Sequence, residues 1–229
     1  MNKNKRLALS WSGGKDSCLA LHQLKKLGYD ICCLITTVPK ETGKTFAHGE
    51  KLELIQAQSD ALNIPIYFVH CAFDTYTEDF KQLLFHLKDK YLLNGIAFGD
   101  LYIEDHRQWG EQLAASVGLE AVYPLWRKQT QMLQSLTQFI KTGYKAIVIR
   151  IRHHQLPKHW LGRQLDEDFW EDIQKKKVCP MGESGEYHTY VYDGPLFQAS
   201  IKIKVGKIIK EKESFRLEIN EGNDISEIK

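Results

Sequence analysis

Through its first half this chain alternates short runs of Val, Ile, Leu, Cys and Thr with longer runs of helical period, and that alternation leaves few folds open. Arg6–Trp11, Ile31–Val38, Ile66–His70, Gly95–Phe98 and Ala121–Leu125 read as strands. Between them Asp16–Leu27, Gly49–Leu62, Thr75–Leu93 and Trp109–Val117 repeat apolar residues at helical spacing. Leu21, Leu24 and Leu27 form a stripe on the first helix, closed by Gly28. Leu54, Ala57, Ala61 and Leu62 do the same on the second, with Pro65 beyond its end. Strands apolar on both faces and joined by helices predict an α/β fold: a parallel sheet with helices on both faces and right-handed crossovers.

The second half changes character. Gln129–Lys141 and Asp166–Lys177 read as helices and Tyr144–Ile151 as a strand. Beyond Tyr187 the pattern turns to strands at Thr189–Tyr192, Ala199–Val205, Lys207–Lys212 and Phe215–Glu218, with turns at Gly206 and Ser214. The boundary falls near Pro124–Trp126, giving domains over 1–124 and 125–229.

Ser12-Gly13-Gly14-Lys15-Asp16-Ser17 lies between the first strand and the first helix, where an α/β sheet places its ligand. Two glycines let backbone N–H groups approach a phosphate, and the helix N-terminus adds unpaired donors and partial positive charge. Lys15 supplies a mobile cation and Ser12 and Ser17 hydroxyl donors, while Ser10 precedes them at the strand end. Asp16 either caps the helix or helps to hold Mg²⁺. An ordinary Gly-Gly turn is the plainer alternative. A Walker A loop is excluded: Gly43-Lys44-Thr45 matches its end, but Val38 stands where the first glycine belongs. No G-x-G-x-x-G follows the first strand either, which disfavours a dinucleotide enzyme.

Other residues carry two readings each. His48, before Gly49-Glu50, either contacts phosphate or is an exposed or capping residue. Gly99-Asp100 ends the fourth strand on the ligand side, where Asp100 binds ribose, Mg²⁺ or acceptor, or merely forms a turn. Glu104-Asp105-His106-Arg107 reads as a loop, with Arg107 either gripping an anion or exposed. Glu183 and Glu186 lie in a glycine-rich segment and either orient an amine, position ammonia or share Mg²⁺, or face water. Arg150, Arg152, His153, His154, Lys158 and His159 form a basic stretch, more simply a solvated strand end than a nucleic-acid contact.

The glycine turn resembles the loop of the PP-loop ATP pyrophosphatases, within the adenine nucleotide alpha hydrolase superfamily. Pro124-Leu125-Trp126, Trp160-Leu161-Gly162-Arg163, Gly182-Glu183-Ser184-Gly185-Glu186-Tyr187 and Asp193-Gly194-Pro195 are similar to the diphthine–ammonia ligase family. The likeness runs from about Leu7 to Phe197. It implies a Rossmann-like (HUP-type) ATP domain and a smaller C-terminal α/β domain that completes the substrate site. It also implies an ATP- and Mg²⁺-dependent ligase that adenylates a carboxylate, amidates it with ammonia and releases AMP and pyrophosphate. Lys15, Asp16, Glu183 and Glu186 would be catalytic. Ser10, Ser12, Gly13, Gly14, Lys15, Asp16, Ser17, His48, Gly99 and Asp100 would bind the nucleotide, with Asp16 as the Mg²⁺ ligand. The acceptor would be a small molecule or a protein, elongation factor 2 where diphthamide is made, and the enzyme is allowed to be a homodimer. His188 departs from the Glu usual after Gly-Glu-Tyr in archaeal and eukaryotic members, which leaves the acceptor open.

Composition sets the remaining bounds. A net charge of +2 over 229 residues does not call for a polyanionic partner. No apolar run approaches the ~18 residues of a membrane span, and the N-terminus is no secretory signal, so the cytoplasm is expected. Cys18, Cys32, Cys33, Cys71 and Cys179 lack C-x-x-C spacing and read as reduced, buried thiols. Their arrangement weighs against the rival reading, a PP-loop tRNA-modifying enzyme. A non-catalytic nucleotide sensor would not need Lys15, Asp16 and the paired glutamates.

Overall fold

The structure, a computed structural model, describes residues 5–40, 43–45 and 49–222. The chain divides into two compact units. The first comprises Met1–Ser12, Asp16–Leu52 and Asn63–Trp126; the second comprises Gly13–Lys15, Glu53–Leu62 and Arg127–Lys229. Among the described residues no helix is long and apolar enough to cross a membrane.

The elements in chain order are β1 (Arg6–Ser10), α1 (Lys15–Lys26), β2 (Asp30–Pro39), α2 (Leu52–Leu62), β3 (Ile66–Cys71), α3 (Tyr76–Tyr91), β4 (Gly95–Ala97), α4 (Glu104–Ser116) and β5 (Glu120–Val122). There follow α5 (Met132–Lys141), β6 (Lys145–Arg152), α6 (Glu167–Ile173), β7 (Tyr187–Asp193), β8 (Ile203–Lys210) and β9 (Ser214–Glu221).

In the first unit the strands form one sheet in the order β3-β2-β1-β4-β5, every pair parallel. This is the doubly wound α/β architecture that the sequence pattern predicts. Strand order reverses between β1 and β4, so a crevice opens at their carboxyl ends. Ala8, Cys33 and Ile35 pack with Phe80, Leu84 and Leu87 of α3 and Leu113 and Ala114 of α4 in one buried cluster. Leu7 and Leu9, fully buried, alternate to the opposite face. α1 ends as expected at Gly28 (φ +84°), with Tyr29 N–H bonded to Leu24 O and Gly28 N–H to Lys25 O, both at 3.0 Å. Leu27 is 60% exposed, a departure from the expected stripe, because it stands at the cap where the helical face has already turned away.

The second unit holds an antiparallel sheet ordered β7-β6-β9-β8. Ile147, Ile149, Tyr190, Leu217 and Ile219 bury one of its faces together with Leu54 of α2, with Ala57 and Ala61 packed alongside. The Tyr190 hydroxyl donates to Leu54 O at 2.8 Å. Gly206 is not a turn. Val205 pairs with Ile219 and Ile208 with Leu217, so Gly206 and Lys207 form a bulge inside one strand. A Cβ at Gly206 would fall 3.2 Å from Glu218 O, which explains the glycine. Glu104–Arg107 is not a loop but the first turn of α4, where Glu104 and Asp105 suit the positive end of the helix dipole.

Candidate functional site

In the first unit, the crevice at the β1–β4 switch point gathers six of the expected residues. Ser10 ends β1 in register with Ile35. Ser12 and Ser17 face each other across the turn, hydroxyl to hydroxyl at 3.3 Å. Gly99, just past β4, runs against the start of α1: a Cβ there would fall 3.2 Å from the Asp16 carbonyl carbon and from Ser17 N. Asp100 follows, its Oδ1 3.1 Å from His106 Nδ1. Two carboxylates, Asp16 and Asp100, therefore belong to segments in direct contact, and oxygen donors of this kind suit a hard cation such as Mg²⁺.

In the second unit, Gly13–Lys15 is fastened to the outer edge of β7. Val191 N–H donates to Gly13 O at 3.0 Å. The Gln58 side-chain amide, on α2, donates to Gly13 O at 2.9 Å and to Val191 O at 2.7 Å. Lys15 N–H donates to Thr189 Oγ1 at 3.0 Å. Gly13 holds φ +77°, and a Cβ on it would strike Gln58 Oε1 at 2.6 Å and Ile55 Cδ1 at 2.7 Å, so only glycine fits. Lys15 is 2% exposed, with Nζ 4.7 Å from the centre of the Tyr187 ring. The loop is thus a fixed cradle at a helix N-terminus, with a cation held at its first residue, and such a cradle fits phosphate.

Tyr187 continues into an aromatic stack. Its ring meets Phe169 at 5.4 Å, Phe169 meets Trp160 at 5.2 Å, and Arg163 lies 4.6 Å over Trp160 while pairing with Asp172. Trp160 is therefore a packing residue of this unit. Glu186, next to Tyr187, is buried, whereas Glu183 is half-buried in the preceding loop.

Other candidates resolve differently. Arg107 turns along its own helix to Glu111 at 2.8 Å and lies over Trp126 at 5.0 Å. Arg150 pairs with Glu211, which also accepts from Ser214 Oγ at 3.1 Å and Arg216 Nε at 3.1 Å. Against the desolvation that burial imposes, the Arg150 charge and these donors hold the Glu211 carboxyl below its ordinary value. The first cation of the basic stretch is therefore neutralised within the unit. His48 lies outside the described residues. All five cysteines are free thiols. Burial pushes the Cys33 thiol up to about 12, and burial together with the Asp16 charge raises that of Cys18 well above its ordinary value. Neither is a thiolate nucleophile at neutral pH.

Sequence reasoning did not single out Gln58 or Thr189, which position the loop. A signal existed for Gln58: it is a polar residue on the buried stripe of α2, beside Leu54, Ile55 and Leu62.

Two family models match the chain, that of the diphthamide synthase N-terminal domain over residues 5–121 and that of the C-terminal domain over residues 131–225. The chain is 30% identical to the diphthine–ammonia ligase of Danio rerio, over 84% of each protein. To the Bos taurus diphthine–ammonia ligase it is 28% identical, over 89% of this chain and 85% of that protein. A Schizosaccharomyces pombe relative of the same name is 26% identical over 87% of the chain but only 36% of its own length.

Proposed function

The chain belongs to the diphthamide synthase family, and on that premise we propose that it is an ATP-dependent ligase that amidates a carboxylate with ammonia. The observation that carries the reading is the Gly13–Lys15 cradle, pinned by Val191, Gln58 and Thr189 with Lys15 buried where it meets the helix. ATP activates the acceptor carboxylate as its adenylate, with pyrophosphate as the leaving group. Backbone N–H groups of the cradle hold phosphate oxygens without side-chain interference, because Gly13 keeps a conformation that a Cβ would forbid. Lys15 places positive charge where negative charge accumulates on departing pyrophosphate, and its burial strengthens that interaction. Ser12 and Ser17 donate hydroxyl hydrogen bonds around the same turn. Asp16 and Asp100 are the residues that would hold Mg²⁺, which supplies charge neutralisation to the phosphates when bound.

Glu183 and Glu186 belong to the acceptor side, since a carboxylate repels phosphate and attracts a cationic nitrogen. The relatives are named for diphthine and ammonia, so the acceptor tested first is elongation factor 2 carrying diphthine, and a small-molecule carboxylate second. The experiment is Lys15→Met, which keeps most of the side-chain volume and removes the charge. Pyrophosphate release with acceptor and ammonium should fall about 10²–10³-fold with the circular dichroism spectrum unchanged. Equal release by variant and parent overturns the assignment.

A further inference from the structure

Glu186 is 5% exposed and closes a segment that coils back on itself. Gly182 N–H bonds Cys179 O, and Gly185 N–H bonds Gly182 O, each at 2.9 Å. Gly182 holds φ +64°, and a Cβ there would fall 2.8 Å from the Tyr187 ring and the Tyr187 carbonyl oxygen. These turns bring Cys179 N–H to donate to Glu186 Oε1 at 3.0 Å. The second oxygen is different: Oε2 is buried and has no hydrogen-bond partner among the described residues. Arg152 N–H donates to the Glu186 backbone carbonyl at 3.0 Å, while its guanidinium lies against Gly185. A carboxylate oxygen withdrawn from water without a donor is costly, and the cost is relieved by a proton or by a small cation with N–H donors.

Resting on the ligase reading above, we infer that Glu186 Oε2 is the ammonium subsite and that Glu186 removes the proton that must leave before nitrogen can attack. At neutral pH the nitrogen substrate is predominantly the cation, which has no lone pair. One N–H proton passes from ammonium to Oε2, leaving ammonia and a neutral carboxylic acid. The freed lone pair forms the C–N bond to the activated acceptor carbonyl. The C–O bond to the leaving phosphate breaks with its electron pair on oxygen, and the nitrogen loses one further proton to water as the amide forms. Oε2 is itself buried, as are Met181 and Tyr187 of the same stretch of chain. Cys179 fixes the carboxylate through Oε1, so Oε2 is the atom left to act.

Glu186→Gln keeps the Cys179 contact and removes the base. With ATP and diphthine-bearing elongation factor 2, parent and variant are compared on ammonium chloride and on hydroxylamine, which is uncharged at neutral pH and needs no deprotonation. The ratio of ammonium-dependent to hydroxylamine-dependent turnover should fall about 10²–10⁴-fold in the variant. Equal losses on both nitrogens overturn the subsite. A second readout needs no acceptor: ammonium chloride should raise the melting temperature of the parent, but not of Glu186→Gln, relative to tetramethylammonium chloride at equal ionic strength. Absence of that difference, or an equal rise with potassium chloride, also overturns it. A parent that shows the ammonium-specific rise but no ATP-dependent turnover on either nitrogen refutes the ligase reading and leaves the subsite standing.

Discussion

Replacing Gln58 by leucine removes the amide that bridges the Gly13–Lys15 loop to β7 while keeping the side chain's bulk. The cost follows from where the two acceptors point. Val191 N–H faces the outer edge of β7, toward Gly13 O, and the carbonyl of a strand residue points to the same side as its N–H. Val191 O therefore depends on Gln58 Nε2, at 2.7 Å and fully buried. Its loss strands a buried acceptor, at about 1–3 kcal/mol. Gly13 O keeps the Val191 N–H, so losing Gln58 there costs only the net value of one hydrogen bond, about 0.5–1.5 kcal/mol. Together the variant should be destabilised by about 1.5–4.5 kcal/mol, a urea midpoint shift of roughly 0.8–2.2 M for slopes near 2 kcal/mol/M. ATP affinity should fall at least about tenfold, since each 1.4 kcal/mol of lost loop order is a decade in Kd. Gln56→Leu is the control: Gln56 is exposed on the same helix and its side-chain amide donates to Asp60 at 2.9 Å. Its expected cost is under about 0.5 kcal/mol. Equal midpoints for the two variants, or unchanged ATP affinity in Gln58→Leu, would refute the bridging role.

Lys15→Met should leave the unfolding free energy from urea titration within about 1.5 kcal/mol of the parent, because the swap conserves most of the buried volume, while pyrophosphate release collapses. Glu211 contributes a pH-dependent increment. Its carboxyl is held low in the folded state, so its stabilisation is present above the ordinary glutamate value and is lost as acid protonates it. Parent and Glu211→Gln should differ in melting temperature at pH 7 and converge as the pH falls below the ordinary glutamate range; a gap that persists in strong acid contradicts the Arg150–Glu211–Arg216 account. Asp166→Ala deletes the cap of α6, whose Oδ1 accepts from Phe169 N at 2.9 Å. It should cost about 1 kcal/mol in a denaturation curve, with Asp166→Asn restoring most of it.

Local chemistry alone determined a large part of this protein. Apolar periodicity located the five parallel strands and their helices, Gly28 marked the end of α1, and the glycine turn after β1 fell at the switch point of the sheet. Each of these depends on residues close together in sequence, where period and backbone freedom carry the information. The tertiary structure decided what local pattern cannot encode. A buried stripe states that a helix face is covered, not by which sheet, and most of α2 belongs with the antiparallel unit although its sequence sits inside the parallel one. The cradle is held by bonds spanning 45 residues to Gln58 and 174 residues to Thr189, separations over which no periodicity operates. Gly206 read as a turn because a glycine looks alike in a turn and in a bulge, and only the pairing of Val205 and Ile208 with β9 separates the two. Glu186 was legible as an acid in a glycine-rich loop. Its burial, with one oxygen fixed by Cys179 and the other left for chemistry, came from the way that loop closes on itself.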